Sequence, residues 1–167
     1  MPIGLQRFQQ SGQFHFITFS CYRRQPLLSS PQAKDMLEQI LEHTRAQQGL
    51  LIAAYVLMPE HVHLLTDEPR TATVATFLQI LKQRSSRVLK APEAEQFWQR
   101  RYYDRNVSTR TEALEKVEYV HRNPVKRGLV SAPEDYLWSS FLHCAIGEPG
   151  RVTLESEWTA RYRGKAG

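Results

Sequence analysis

The stretch Tyr55–Leu65, YVLMPEHVHLL, places two histidines one residue apart inside an apolar run. On an extended chain, side chains two residues apart point to the same face, so His61 and His63 aim at one spot while Val62 points away. Pro59 and Glu60 interrupt the run and read as a tight turn, which makes LLIAAYVLM and EHVHLLTD a hairpin with the histidines just past its tip. Neutral imidazoles are common ligands for divalent metals, and two on one strand face supply half a site. A third ligand must come from elsewhere, and a pair of satisfied core or surface histidines is the competing reading.

Outward from this hairpin the chain alternates strand and helix signals. Gln13–Cys21, QFHFITFSC, is aromatic, β-branched and alternating, as a strand should be. Ser30 and Pro31 then open a helix predicted from about Pro31 to Gln48, with Met36, Leu37, Ile40 and Leu41 at helical spacing and Gly49 as its stop. Thr73 is placed to cap a second helix through about Lys90, with Val74, Phe77, Leu78, Leu81 and Val88 inward and Lys82, Arg84, Arg87 and Lys90 outward. EQFWQRRYYDRNV reads as a further strand with its approach. TRTEALEKVEYVHRN reads as a third helix, with Thr111 as candidate cap and Ala113, Leu114, Val117 and Val120 as its packing residues. Beyond Pro124 and Gly128 the sequence is irregular, with one short helix expected near EDYLWSSFLHCAI. The order strand, helix, strand, strand, helix, strand, helix predicts an α+β domain with a ferredoxin-like split β-α-β core and an antiparallel sheet.

The chain has 167 residues, 41% hydrophobic and 23% charged, which suits one globular domain and argues against disorder. Residues 1–167 are therefore read as a single domain, with a C-terminal extension from about residue 125. The 22 Lys and Arg exceed the 17 Asp and Glu, for a formal charge of +5 and an isoelectric point near 9.4. That balance suits a phosphate-bearing partner, although a merely basic soluble protein has the same composition. Cys21 and Cys144 form no C-x-x-C pair, so neither a zinc ribbon nor a disulfide framework is suggested and reduced thiols in a cytoplasm fit best. No run approaches the roughly 18 apolar residues of a membrane span, and the N-terminus lacks an apolar signal core. A cytoplasmic location without membrane contact is expected.

The third helix brings a second constellation. In EYVHRNPVKRGLV, Glu118–Val130, Tyr119 and Asn123 are four apart and share a helical face, so a phenol and an amide oxygen can be presented together. Asn123 precedes Pro124 and is expected at the helix end, where that spacing argument weakens. A half-buried packing role is the plain alternative for Tyr119.

Taken together, VLMPEHVHLL, FWQRRYYD, YVHRNPVKRGLV and WSSF resemble the Y1 transposases of the IS200-like group, particularly the REP-associated tyrosine transposases. The resemblance runs from about Phe14 to Phe141 and rests on the pairing of the P-x-H-x-H strand with the Y-V-H-x-N-P-V-K-x-G-L-V segment. It implies the HUH nuclease fold, with His61 and His63 as metal ligands, Tyr119 as the nucleophile and Asn123 as a polar third ligand. Insertion-sequence relatives often carry Gln at the position of Asn123. The continuation through NPVKRGLVSAPEDYLWSSF is closer to the REP-associated branch.

The implied chemistry explains the residue types. A bound Mg or Mn ion polarises a phosphodiester and stabilises the charge that develops on attack. Tyr119 would form a 5'-phosphotyrosine and free a 3'-hydroxyl, which can later reverse the step without an external energy source. A free tyrosine, with a pKa of about 10, needs help to deprotonate. Glu60 and His121 lie near in sequence, but Glu60 reads equally as a turn residue and His121 as a surface residue, and neither is assigned a catalytic role.

The implied substrate is single-stranded DNA carrying a hairpin, bound in the cytoplasm at the nucleoid. Lys82, Arg84 and Arg87 on the second helix, with Lys126 and Arg127 after the tyrosine, are the candidate phosphate contacts. FWQRRYYDR interleaves aromatic and basic residues as a stacking surface does, although Phe97, Trp98 and Tyr103 more often close a core. Relatives use a homodimer with exchanged helices. A cupin would also accept HVHLLTDE with Glu68, but three predicted helices and 8 glycines disfavour a jelly roll, and an amidohydrolase barrel needs about 250 residues. The remaining alternative is a non-catalytic, domesticated protein that binds hairpin DNA.

Overall fold

The computed structural model describes residues 14–156. Four strands, β1 (Phe14–Cys21), β2 (Ile52–Leu57), β3 (His61–Thr66) and β4 (Trp98–Val107), alternate with helices α1 (Pro31–Gln48), α2 (Val74–Leu89), α3 (Arg110–Lys126) and α4 (Phe141–Ile146). The sheet order is β2-β3-β1-β4 with every neighbour antiparallel, which is the expected ferredoxin-like α+β arrangement.

The caps explain the helix starts. Ser30 accepts from Ala33 N and Thr73 from Thr76 N, while Gly49, at φ 69°, ends α1 in the left-handed region. A side chain at that glycine would also collide with Arg70, whose Cγ lies 2.7 Å from an ideal Cβ. The third cap is Thr109, not Thr111: Thr109 Oγ1 accepts from Glu112 N, and T-x-x-E at 109–112 was the signal of a capping box. Val88 is 56% exposed rather than inward, because α2 ends at Leu89 and its last turn leaves the core. Pro124 lies inside α3, so Asn123 is a buried helical residue and not a terminal one. The proline removes one N–H near the end of the helix, and the loss is small because the chain closes with Arg127 N to Asn123 O and Gly128 N to Val125 O.

Both sheet faces are covered, by different helices. On one side α1 and α2 bury Ile17, Phe19, Leu57, Val62 and Leu64 with Phe77, Leu81 and Trp98. On the other α3 packs over β2 and β3, burying Phe14, Phe16, Ala54, Val56 and Leu65 with Ala113 and Val120. Strands sandwiched this way read as continuous apolar runs, as in Ile52–Leu57. No helix among the described residues is long and apolar enough to cross a membrane, and Cys21 and Cys144 are not joined to each other.

The segment after α3 protects the exposed edge of β2. Leu57 N donates to Trp138 O, Tyr136 Oη donates to Leu57 O, Val56 pairs with Ser139 and Ile52 with Leu154. His121 locks this segment to the helix, and it is buried rather than on the surface. Its Nε2 lies 2.7 Å from Ser140 Oγ, which also accepts from Tyr55 N at 2.9 Å.

Burial pushes the His121 imidazole down from 6.5 to about 4. The folded chain keeps it neutral where the unfolded chain binds a proton, so its contribution is complete above the unfolded value and is lost as pH falls toward the folded one. We expect urea midpoints of the wild type to fall over that window. In His121→Gln the fall should be shallower by up to one proton, about 1.4 kcal/mol per pH unit. Parallel curves for the two proteins would show that His121 is not held neutral.

Candidate active site

β3 sends His61 and His63 to the face under α3, where their Nε2 atoms converge to 3.0 Å. The two side chains are only 4% and 5% exposed. Their far nitrogens are also engaged: His61 Nδ1 lies 3.0 Å from Glu60 Oε1, and His63 Nδ1 lies 2.8 Å from Thr18 Oγ1. Thr18 stands directly across from His63 on β1, so the register supplies this contact. Burial lowers both pKa values. For His61, Glu60 acts in the opposite direction without reversing the shift, and for His63 the neighbouring His61, Arg24 and Lys116 add to burial and bring it to about 3. Both rings are thus neutral at physiological pH and offer lone pairs.

α3 lays Tyr119 against this pair. Its ring centroid is 5.4 Å from that of His63 and 6.0 Å from that of Phe16, both edge-on, while Phe16 stacks on His63. Tyr119 is 45% exposed, so its ring is anchored and its surface remains accessible. One turn on, Asn123 is buried and its Oδ1 has no hydrogen-bond partner. Leaving such an acceptor unpaired costs roughly 1–3 kcal/mol, which makes it an unexplained feature unless something docks there. Among the described residues no three His, Cys, Asp or Glu side chains converge as a metal site. Neutral imidazoles and an amide oxygen are donor types that suit a divalent cation.

The sequence-predicted cations divide by location. Lys126 borders a groove of about 510 Å³ with Tyr119, Glu118 and Arg122 on the outer side of α3. Arg127 is bound to the Glu60 carboxylate beside His61. Lys82, Arg84 and Arg87 belong to α2, which covers the opposite face of the sheet. Lys82 Nζ donates to Gln99 O at 2.8 Å, and Arg84 is bound to Thr44 and Gln47 of α1. Arg87 lies beside Arg84 and His43. The structure does not bring these three to the histidines.

Two cations near the histidines were not singled out in the sequence. Lys116 lies one turn before Tyr119, with its Nζ 4.8 Å from the Phe16 ring centroid, and this i, i+3 relation could have revealed it. Arg24 follows β1 and lies 3.7 Å from Glu60. Arg23 and Arg24 both adopt positive φ, 52° and 53°, a local strain with no signal in the sequence. Tyr103 is 54% exposed rather than core, because it faces the histidine side on edge strand β4, beyond the reach of α3. Phe97 and Trp98 are buried as expected.

Comparisons with known proteins place the chain among transposases. The REP-associated tyrosine transposase of Escherichia coli K12 is 24% identical over 136 residues, covering 81% of each chain. The ISDra2 transposase TnpA of Deinococcus radiodurans is 35% identical over 75 residues, covering 45% of this chain and 52% of its own. A solved structure of a REP-associated tyrosine transposase bound to a REP hairpin superposes with a TM-score of 0.70 at 23% identity, over 87% of each chain, and shares the fold. The family model described as "Transposase IS200 like" matches residues 8–123, a span that includes His61, His63, Tyr119 and Asn123, and the chain accordingly belongs to the IS200-like transposase family.

Proposed function

We propose that the protein is a metal-dependent tyrosine transposase of the REP-associated branch, which cuts and rejoins single-stranded DNA beside REP-like hairpins. The observation that carries this reading is the convergence of the His61 and His63 Nε2 atoms with the Tyr119 ring packed against His63; it is supported by Asn123, one turn further along α3, whose buried Oδ1 has no partner. His61, His63 and Asn123 would hold Mg or Mn. When bound, such an ion supplies polarisation of the phosphate and stabilisation of developing negative charge.

The chain's own groups do the rest. Tyr119 Oη attacks phosphorus and loses its proton to solvent. The P–O3' bond breaks, and the leaving oxygen takes up a proton to become a 3'-hydroxyl. The product is a 5'-phosphotyrosine, and attack on it by a 3'-hydroxyl reverses the sequence. α3 keeps the nucleophile in place, since the Tyr119 ring is wedged against both His63 and Phe16. Tyr119 and His63 of one chain are already in contact, which supports a site assembled within a single chain, so a homodimer is not needed to complete it.

Residues 1–167 form one catalytic domain on this reading, with the extension from about residue 125 bracing β2. Lys116, Lys126 and Arg127 lie on the nucleophile side as phosphate contacts, while Lys82, Arg84 and Arg87 lie at the rim of the opposite face, where a hairpin stem would have to wrap to meet them. The protein works on the nucleoid in the cytoplasm, where such DNA is found.

Two tests follow. On a denaturing gel with 3'-labelled single-stranded hairpin DNA in Mg or Mn, the wild type and Tyr103→Phe should form a protein-linked band and Tyr119→Phe none. An adduct in Tyr119→Phe removes the nucleophile assignment; a wild type that binds the hairpin and neither cuts nor links it is a binding protein only. His61→Ala or His63→Ala should slow cleavage by at least about 100-fold with hairpin binding largely retained, and EDTA should silence the wild type. Undiminished cleavage by either variant removes the metal role of that histidine.

A further inference from the structure

The turn that joins β2 to β3 is closed by backbone alone. Met58 N donates to His61 O at 2.8 Å, and Cys21 N donates to Glu60 O at 2.8 Å. Neither bond involves the side chain of Glu60. That side chain is nonetheless 7% exposed and fully engaged: its carboxylate meets His61 Nδ1 at 3.0 Å, the Arg127 guanidinium, and Arg24 at 3.7 Å. A buried carboxylate that the turn does not require is an expense the fold would avoid unless it served the residues it touches.

We propose that Glu60 is a positioning residue of the site: its carboxylate fixes the proton of His61 on Nδ1, so that the Nε2 lone pair of His61 is presented to the divalent ion. The inference rests on the metal reading of His61 and His63 and deepens it. An ionised carboxylate only accepts, so its contact with Nδ1 requires a proton there, and a neutral imidazole has only one. Carboxylates commonly orient metal-bound histidines in this way.

His63 is held differently. Since His61 Nε2 is bare, the 3.0 Å contact between the two Nε2 atoms places a proton on His63 Nε2, and His63 Nδ1 accepts from Thr18 Oγ1. For His63 also to offer Nε2 to an ion, its proton must move to Nδ1. The Thr18 hydroxyl permits this, because it accepts as readily as it donates. One histidine is therefore preset by a carboxylate and the other adjusts against a hydroxyl. Arg127, at the C-terminal cap of α3, grips the same carboxylate, so the end of the tyrosine helix and the orientation of His61 share one anchor.

The test compares wild type, Glu60→Ala and Glu60→Gln without DNA. Mn(II) affinity is measured by calorimetry, and the His61 tautomer by long-range 15N–1H NMR on metal-stripped protein. We expect Glu60→Ala to bind Mn(II) about 10- to 100-fold more weakly than wild type. Glu60→Gln should recover most of the affinity, because the amide oxygen accepts the same Nδ1 proton. The wild type should show His61 protonated on Nδ1, and Glu60→Ala a mixture of tautomers. Equal Mn(II) affinity in wild type and Glu60→Ala, a Gln variant as weak as Ala, or His61 protonated on Nε2 in the wild type overturns the role of Glu60 while leaving the metal reading intact. A wild type that does not bind Mn(II) overturns both.

Discussion

A strand presents its side chains alternately to two faces, and β3 uses that alternation to serve two environments at once. Val62 and Leu64 enter the core under α1 and α2, while His61, His63 and Leu65 face α3. Because β3 is flanked by β2 and β1 and covered on both sides, neither histidine can swing away or become well hydrated. A slip of one residue in register would send Val62 to the site and both imidazoles into the apolar layer, which the packing of Phe19 and Trp98 forbids. The convergence of the two Nε2 atoms is thus a property of the sheet register before it is a property of the site.

The second constraint is the helix that crosses above. The 3.6-residue repeat carries Lys116, Tyr119 and Asn123 along one side of α3, and the Thr109 cap fixes where that repeat begins. Continuing the helix through Pro124 matters for the same reason. If the backbone had turned at Asn123, the amide would have left the face occupied by Tyr119. The interior proline is tolerated because only three residues, Pro124 to Lys126, complete the helix, and the turn after it recovers Leu129 N to Pro124 O at 2.9 Å.

Much of this was legible in the sequence, since periodicity and caps are local. The alternation in Phe14–Cys21, the Ser30 and Gly49 limits of α1 and the Pro59 turn were all readable, and with them the order of elements that defines the fold. The pairing of His61 with His63 followed from spacing alone. Some misread positions were decided by tertiary contact: His121 is buried because the C-terminal segment folds over it, and Tyr103 is exposed on the edge strand β4. Glu60 could not be told from an ordinary turn residue, since its partner Arg127 lies 67 positions away.

The electrostatics of the histidine pair carry one further consequence. Burial dominates the lowering of both pKa values, and Arg24 acts in the same direction on each, joined by Arg127 at His61 and by Lys116 at His63. A field that repels a proton also repels a dication, so on the metal reading an ion at this site needs compensating negative charge. Two sources are at hand: the Glu60 carboxylate, which burial would raise but which Arg127 and His61 hold below the usual carboxylate range, and the phosphate of a nucleic acid. Because the second arrives with the substrate, ion and DNA would each tighten the binding of the other by the same factor, as linkage requires. On the same reading Arg24 and Arg127 would disfavour a free ion and favour a bound phosphate. On that reading an ion that binds the free protein would bind more tightly once DNA brings the compensating charge.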